Sequence, residues 1–211
     1  EISRKVNLAQ LLGFQAYQFY HLPAKNYHQQ RIWVDKDFPD LVDLPLSQHA
    51  RLIAERIESL SSLNLPILVL FTSKELLLEV SENLSLQHLA QYKNGDASNI
   101  KRRFDRGEAP ILLGTGSFWE GTDFSSQDKM IQIITRLPFD NPQNVFTQKM
   151  NRRLRLEGKN PFYDYGLPVA ILRLKQALGR TVRHRKQQSA VLILDNRVYT
   201  KRYSRQIRGV L

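Results

Sequence analysis

Arg180 and Arg183 lie three residues apart, and their type and spacing would let both side chains bind one anion. They follow Gly179, which lies where a predicted helix should end, and Gln176 lies about one turn earlier. Arginine stays charged and presents a fixed fork of donors, which suits a phosphate that gains charge in a transition state. The segment therefore predicts an anion site, and a basic surface turn is the alternative interpretation.

A glycine-rich loop at residues 114–123 is the second candidate. Its three glycines let the backbone come close to a ligand, and Thr115 and Ser117 add hydroxyl donors. Glu120 and Asp123 place two carboxylates beside a large aromatic pair. The loop is not a G-x-x-x-x-G-K-S/T phosphate loop, which occurs nowhere in the chain, and it is not a G-x-S-x-G nucleophile turn. A ligand-binding loop is favoured over a tight turn with no other role.

The third candidate is the segment Phe71, Thr72 and Ser73, where a buried strand is predicted to turn directly into a helix. Two hydroxyls and free backbone N–H groups at a helix N-terminus can hold a phosphate. Ser73 acting only as a helix cap, with nothing bound, is the alternative.

The elements that must position these segments alternate between strands and helices. Continuous apolar runs predict strands covered on both faces at residues 67–71, 111–113, 130–135 and 190–194. Helices are predicted behind Ser47 and Ser73, from Ser98, and over residues 144–156 and 168–178. Alternation without a hairpin signal predicts the α/β class, with one parallel sheet and helices on both faces. Because such sheets bind ligands at the carboxyl ends of their strands, all three candidate segments are expected at that edge.

Composition excludes several other kinds of site. The chain is 42% apolar and 24% charged, which is typical of a soluble globular protein, and it has no run of roughly 20 apolar residues that would span a membrane. It contains no cysteine, so disulfides, iron–sulfur ligands and cysteine nucleophiles are excluded, and a cytosolic setting fits. Its five histidines lack metal-ligand spacing. Because the chain begins with Glu1, it is interpreted as a piece of a longer protein.

The charge is concentrated in the second half of the chain. Residues 1–100 carry 9 basic and 11 acidic side chains, whereas residues 101–211 carry 22 basic and 9 acidic ones, within a total of +11. A net of +13 in one half indicates a face for polyanions such as a phosphate backbone, although a solvated basic surface gives the same count.

Taken together, in this order and spacing, the three segments resemble motifs IV, V and VI of a superfamily 2 helicase. The chain is most similar to the DinG-like helicases, relatives of the XPD helicase, from about residue 20 to its end. The matching residues are 68–73 (LVLFTS), 116–123 (GSFWEGTD), 137–139 (LPF), Gln176-x-x-Gly179-Arg180-x-x-Arg183, Asp195-x-Arg197 and the region of Tyr203. One departure is Gln176-Ala177-Leu178-Gly179, where the family more often has Gln-Gly-Phe-Gly.

This resemblance implies that the chain is a single RecA-like C-terminal lobe over residues 1–211, with residues 1–30 as an entry segment from a first lobe. It has the P-loop NTPase-like fold without a P-loop of its own. Family members are ATP-driven motors that move 5′ to 3′ on single-stranded DNA and hold ATP between two lobes. The resemblance therefore implies ATP and Mg²⁺ held mainly by the first lobe, with single-stranded DNA and that lobe as partners. It also implies no membrane, a role in DNA repair and the cytoplasm of a bacterium. The fragment alone is expected to be inactive.

The site residues also follow from the resemblance. Arg180 and Arg183 would reach the γ-phosphate, with Arg183 as the finger, and Gln176 would couple phosphate sensing to DNA. The nucleotide side of the cleft would be organised by Glu120, Gly121 and Asp123. The DNA backbone would be contacted by Thr72, Ser73, Thr115 and Ser117.

Two other functions stay open from the sequence. The chain could be a sequence-nonspecific nucleic-acid-binding module without motor activity, but backbone binding alone would not require Gln176 and both arginines. It could instead be the helicase-like scaffold half of a DinG-type 3′–5′ exonuclease, since some DinG-like proteins of Gram-positive bacteria carry such a nuclease domain.

Overall fold

Six parallel strands form one sheet in the computed structural model, which describes residues 29–40 and 44–211. The strands are β1 (Gln30–Val34), β2 (Ile67–Leu70), β3 (His88–Ala90), β4 (Ile111–Gly114), β5 (Lys129–Ile134) and β6 (Gln188–Ile193). Their order across the sheet is β1-β6-β5-β2-β4-β3. The predicted α/β class with a parallel sheet is confirmed. The entry segment expected at residues 1–30 lies outside the described residues except for its last two.

Apolar side chains alternate between the two faces of the sheet because successive strand residues point in opposite directions. Leu68 and Leu70 of β2 enter the core on one face, and Ile67 and Val69 enter the core on the other. Every residue of β2 is buried, as the continuous apolar run predicted.

Helices cover both of these faces, as predicted. The helices are α1 (Leu46–Ser61), α2 (Lys74–Asn83), α3 (Ala97–Asp105), α4 (Val145–Leu156), α5 (Leu167–Leu178), α6 (Arg197–Thr200) and α7 (Ser204–Arg208). Side chains of α1 and α2 pack on one face of the sheet, and side chains of α3 and α5 pack on the other. Among residues 29–40 and 44–211, no helix combines the length and the apolar character that a bilayer crossing requires.

Two of the three serines expected at helix starts lie elsewhere in their helices. Ser73 caps α2 as predicted, because its hydroxyl accepts a hydrogen bond from the Leu76 amide at 3.1 Å. Ser47 lies inside the first turn of α1, since the carbonyl of Pro45 already accepts from the His49 amide. The cap of α3 is the side chain of Asp96, which accepts from the Asn99 amide at 2.8 Å, so Ser98 also lies inside its helix.

The carboxyl ends of the central strands meet at one edge of the sheet. Leu70 of β2 is in register with Gly114 of β4 and Ile134 of β5. The chain leaves β2 for α2 on one face and leaves β5 for α4 and α5, of which α5 covers the other face. Adjacent strands whose connections depart to opposite faces leave a crevice between them, and open α/β sheets bind ligands there.

Candidate functional site

A cleft of about 530 Å³ lies at this crevice. Its walls are the segments that follow β2, β4 and β5, together with one residue of helix α5. The lining residues are Phe71, Thr72, Gly116, Ser117, Trp119, Glu120, Pro138, Phe139, Asp140, Asn141 and Arg173. The cleft therefore brings together two segments predicted to bind ligands, residues 71–73 and the glycine-rich loop, and adds the segment after β5.

The hydroxyls expected to contact DNA divide into two groups. Thr72 and Ser117 are exposed and line the cleft. The hydroxyl of Ser73 instead accepts the hydrogen bond that caps α2. Thr115 is buried, and its hydroxyl lies 2.9 Å from the Tyr92 hydroxyl and 3.2 Å from Gln91 Oε1. The Thr115 hydroxyl is therefore held inside the fold, because the residues that follow the neighbouring strand β3 lie over it, and its contact with DNA stays a prediction.

The glycine-rich loop is held against the segment after β2. The indole nitrogen of Trp119 donates to the carbonyl of Phe71 at 2.7 Å, and Phe118 is fully buried below it. Gly114 allows this packing, because a Cβ at that position would lie 2.3 Å from the Phe118 ring. Gly121 has a φ of +91°, in the left-handed region that glycine adopts without strain. The loop therefore has a fixed course that other residues at these glycines would disturb.

Arg173 of α5 joins two carboxylates at the cleft wall. Its guanidinium forms an ion pair with Asp140, and its Nε lies 3.4 Å from Glu120 Oε1. Burial alone would lower the pKa of Arg173, but the hydrogen bond with Asp140 and the charge of Glu120 outweigh burial and raise it. Glu120, expected on the nucleotide side, thus lies in the cleft with an arginine that sequence reasoning did not single out.

The arginine segment lies at the opposite edge of the sheet, which corrects the expectation that all three segments share one edge. The edge rule concerns loops that follow strands, whereas residues 179–187 follow a helix and lead into β6. A helix that returns the chain for a parallel strand ends near the amino ends of the strands. Accordingly, the Thr181 hydroxyl lies 3.0 Å from the hydroxyl of Ser189, the second residue of β6.

The glycine-rich loop nevertheless reaches this second edge and contacts the arginines there. Arg180 donates from Nη1 to the carbonyl of Thr122 at 3.1 Å and from Nε to the carbonyl of Trp119 at 3.4 Å. Burial and the nearby charge of Arg183 lower the pKa of Arg180, and the carboxylates of Glu120 and Asp123 oppose that shift. Two cations and two anions therefore lie within electrostatic reach of one another.

Arg183 differs from Arg180 in the contacts of its side chain. Among the described residues its guanidinium makes no hydrogen bond and no ion pair, and the residue is exposed. Its backbone amide is held, because it donates to Gln187 Oε1 at 2.8 Å. Gln176 has a side-chain carbonyl oxygen that is buried with no hydrogen-bond partner in the described part of the chain. The segment thus offers one anchored arginine and one that can meet an incoming anion.

Three residues near the end of the chain, Asp195, Arg197 and Tyr203, pack behind the cleft wall that follows β5. Asp195 is buried, accepts from the Leu137 amide at 2.7 Å, and pairs with Arg197 through both carboxylate oxygens. Arg197 lies over the ring of Phe139, 5.5 Å from its centre, and Tyr203 packs edge-on against the same ring. These contacts fix Phe139, a residue of the cleft wall.

Comparison with known proteins adds family relationships to this geometry. A family model described as helicase C-terminal domain matches residues 57–211. The 3′-5′ exonuclease DinG of Bacillus subtilis (strain 168) is 32% identical over 192 residues, which cover 87% of this chain and 21% of that protein. The ATP-dependent DNA helicase YoaA of Haemophilus influenzae is 31% identical over 158 residues, covering 70% of this chain and 25% of that protein.

Solved structures give the same fold. A structure described as XPD helicase superposes with a TM-score of 0.69 over 86% of this chain and 34% of the other, at 17% sequence identity. The sheet with its helices is therefore that of the RecA-like lobe of XPD. The chain spans between a fifth and a quarter of the length of the two curated relatives.

Proposed function

The chain belongs to the helicase C-terminal domain family, as the C-terminal region of a DinG- and XPD-like superfamily 2 helicase, and from this membership we propose that it is the second motor lobe of an ATP-dependent DNA helicase. In this proposal the complete protein moves 5′ to 3′ on single-stranded DNA. ATP would bind between the two lobes as the substrate, and Mg²⁺ held by ligands of the first lobe would supply positive charge at its phosphates. The proposed setting is the cytoplasm of a bacterium, where the lack of cysteine fits, and the proposed process is DNA repair.

One observation supports this proposal above the others: a single loop reaches both ends of the site. Ser117 of the glycine-rich loop lines the cleft, and the carbonyls of Trp119 and Thr122 in the same loop accept from Arg180. A motor must transmit a change at the nucleotide to the DNA, and a short, sterically fixed loop between the two sites is suited to that.

The residues of this chain have separate parts in the proposal. Thr72 and Ser117 bind the DNA backbone with neutral hydroxyls, which read no sequence. Arg180 is held by the loop and keeps the loop against α5. Arg183 faces the phosphates between the two lobes, and Gln176 couples phosphate sensing to the DNA. Glu120, Gly121 and Asp123 organise the nucleotide side of the glycine-rich loop. The guanidinium of Arg183 fits this part, because no described residue occupies its donors and they can meet a phosphate.

An unwinding assay on the complete protein tests the proposal. We expect ATP turnover that rises with single-stranded DNA, and unwinding of a duplex with a 5′ tail. A duplex with only a 3′ tail should stay intact under the same conditions. Unwinding of the 3′-tailed duplex alone would refute the proposed direction, and turnover that ignores DNA would refute the motor.

A second candidate is the scaffold half of a 3′–5′ exonuclease. It is favoured by one observation, the relationship to a protein named 3′-5′ exonuclease DinG over 87% of this chain. In that case the complete protein should shorten end-labelled DNA from its 3′ end without ATP, and Arg183→Ala should leave the rate unchanged. The two candidates are thus separated by the ATP requirement.

A further inference from the structure

A network of polar side chains lies beneath the arginine segment, in a part of the core where apolar residues would be expected. It consists of Gln30 of β1, Gln132 of β5, Ser189 of β6 and Thr181 of the segment itself. Gln132 and Thr181 are fully buried. Buried polar groups cost free energy unless they are hydrogen-bonded, so their presence in this core calls for a reason.

The Thr181 hydroxyl is the centre of this network. Its oxygen lies 3.0 Å from Ser189 Oγ, 3.1 Å from Gln30 Nε2 and 3.3 Å from Gln132 Oε1. Thr181 directly follows Arg180 and lies two residues before Arg183. The hydroxyl therefore ties the middle of the arginine segment to three strands of the sheet.

The two glutamines also hold the end of α5. Gln132 donates from Nε2 to the carbonyl of Ala177 at 3.0 Å, and Gln30 donates from Nε2 to the carbonyl of Leu178 at 2.8 Å. The last carbonyls of a helix lack partners inside the helix, so side-chain donors can fix its final turn. The backbone is thus held on both sides of Arg180.

A third amide side chain, that of Gln187, holds the far end of the segment. Gln187 is fully buried, accepts from the Arg183 amide at 2.8 Å, and donates to the carbonyls of Phe124 at 2.8 Å and Gln127 at 3.0 Å. It thereby joins the backbone of Arg183 to the chain just beyond the glycine-rich loop.

We propose that Gln132, Thr181 and Gln187 are positioning residues that hold the loop of residues 179–187 so that Arg180 stays anchored to the glycine-rich loop and Arg183 keeps one fixed direction toward the nucleotide. This inference rests on the proposed function. A catalytic group must be held to a fraction of an ångström by residues behind it, because small displacements are costly in rate. The buried amides and hydroxyl have that role here, and none of them touches the nucleotide.

Thr181→Val tests this inference, because valine has nearly the shape of threonine and lacks the hydroxyl. In the complete protein we expect kcat for ATP to fall by roughly 10- to 100-fold at saturating DNA, while KM for ATP and the affinity for DNA change little. Thr181→Ser, which keeps the hydroxyl, should restore most of kcat. Amide hydrogen exchange should become faster at residues 180–187 in the valine variant and stay unchanged in β2 and β4.

Thr135→Val is the matched control. Thr135 is also fully buried, and its hydroxyl donates to the carbonyl of Leu70 at 2.9 Å at the other edge of the same sheet. It should lower the thermal midpoint about as much as Thr181→Val does, with kcat preserved. A similar loss of kcat in both valine variants would overturn the inference, since stability alone would then explain it.

The proposed function and this inference can fail separately. If Arg183→Ala abolishes turnover and Thr181→Val leaves kcat intact, the positioning inference is wrong and the motor assignment stands. If Arg183→Ala leaves turnover intact, the motor assignment is wrong. Hydrogen exchange then decides the inference alone, and unchanged exchange at residues 180–187 would overturn it.

Discussion

The indole nitrogen of Trp119 donates a hydrogen bond of 2.7 Å to the carbonyl of Phe71, and this contact joins the loops that follow β2 and β4. Trp119 is almost fully buried, so neither partner can exchange this bond for one with water. The two loops line the same cleft, and Thr72 and Ser117 lie one and two residues from the bonded pair. The distance between the two exposed hydroxyls therefore depends on the hydrogen bond from Trp119 to Phe71, in which neither hydroxyl takes part.

Trp119→Phe should therefore destabilise the chain by about 1–3 kcal/mol, because it leaves the carbonyl of Phe71 buried without a donor. The free energy of unfolding from a urea titration measures this loss. Trp33→Phe is the control, since Trp33 of the edge strand β1 is 51% exposed, and it should change stability by less than about 0.5 kcal/mol. Equal losses of unfolding free energy in the two variants would show that the hydrogen bond to Phe71 does not account for the effect of Trp119→Phe.

Single-stranded DNA should bind through the two exposed hydroxyls of the cleft. Replacing Thr72 and Ser117 together by alanine should weaken binding about tenfold, since each lost hydrogen bond is worth about 0.5–1.5 kcal/mol. The slope of log K against log salt should not change, because no charge is removed. Fluorescence anisotropy over a salt series measures both quantities. The double variant Ser59→Ala with Ser62→Ala, on exposed hydroxyls in the last turn of α1 and just after it, should bind as the unaltered chain does.

The basic helix α4 tests the alternative, in which single-stranded DNA binds through arginines outside the cleft. Each phosphate neutralised contributes roughly −0.7 to the salt slope for single strands. Arg153 is already paired with Glu157, and α4 carries Arg152 and Arg155 on its exposed surface. Neutralising these three arginines should change the slope by less than one phosphate. If they carry most of the slope and the two hydroxyls carry no affinity, the DNA crosses a different face.

Stability should fall in acid because of His49. This histidine is fully buried, neither ring nitrogen has a hydrogen-bond partner in the described part of the chain, and Phe38 packs on it. Burial, helped by the charge of Arg136, lowers its pKa from 6.5 to about 4, against the opposing charges of Asp195 and Asp40. Between these two values the unfolded chain binds more protons than the folded one, so the free energy of unfolding rises with pH across that window.

His49→Leu should remove this acid sensitivity. From pH 6.5 down to about 4 the unaltered chain should lose about 3 kcal/mol through His49, and the leucine variant should lack that part of the loss. Above pH 7 the variant should be at least as stable, since it removes two buried nitrogens that have no partner among residues 29–40 and 44–211. Urea titrations at several pH values measure this difference. Parallel curves for both proteins between pH 4 and 7 would contradict it.

The central sheet and much of the cleft could be predicted from the sequence, because long apolar runs report strands buried on both faces. The edge strands could not, since β3 has three residues and β1 is only half-buried, so neither leaves such a run. The burial of Thr115 depends on Gln91 and Tyr92, which the pairing of β3 with β4 brings over it. No local pattern contains that contact.

Gln132 is the residue that the sequence could have revealed. It is the one polar side chain between Met130 and Ile134, and a polar residue inside a fully buried strand needs a partner. The sequence could not say that the partner is the end of α5. The edge of the sheet at which the arginine segment lies was also predicted wrongly. The rule that ligands bind at the carboxyl ends of strands applies to loops that follow strands, and this segment follows a helix.

The most direct test of the whole account is the rate of DNA-stimulated ATP hydrolysis by the complete protein carrying Arg183→Ala. Arginines that reach a transferring phosphate contribute about 10³-fold or more to kcat, so we expect a loss of that size, with DNA affinity nearly unchanged. Arg205→Ala removes one charge from the same basic half and should keep the full rate. A parallel loss of turnover and DNA binding, or no loss of turnover, would contradict the assignment of Arg183 to the nucleotide.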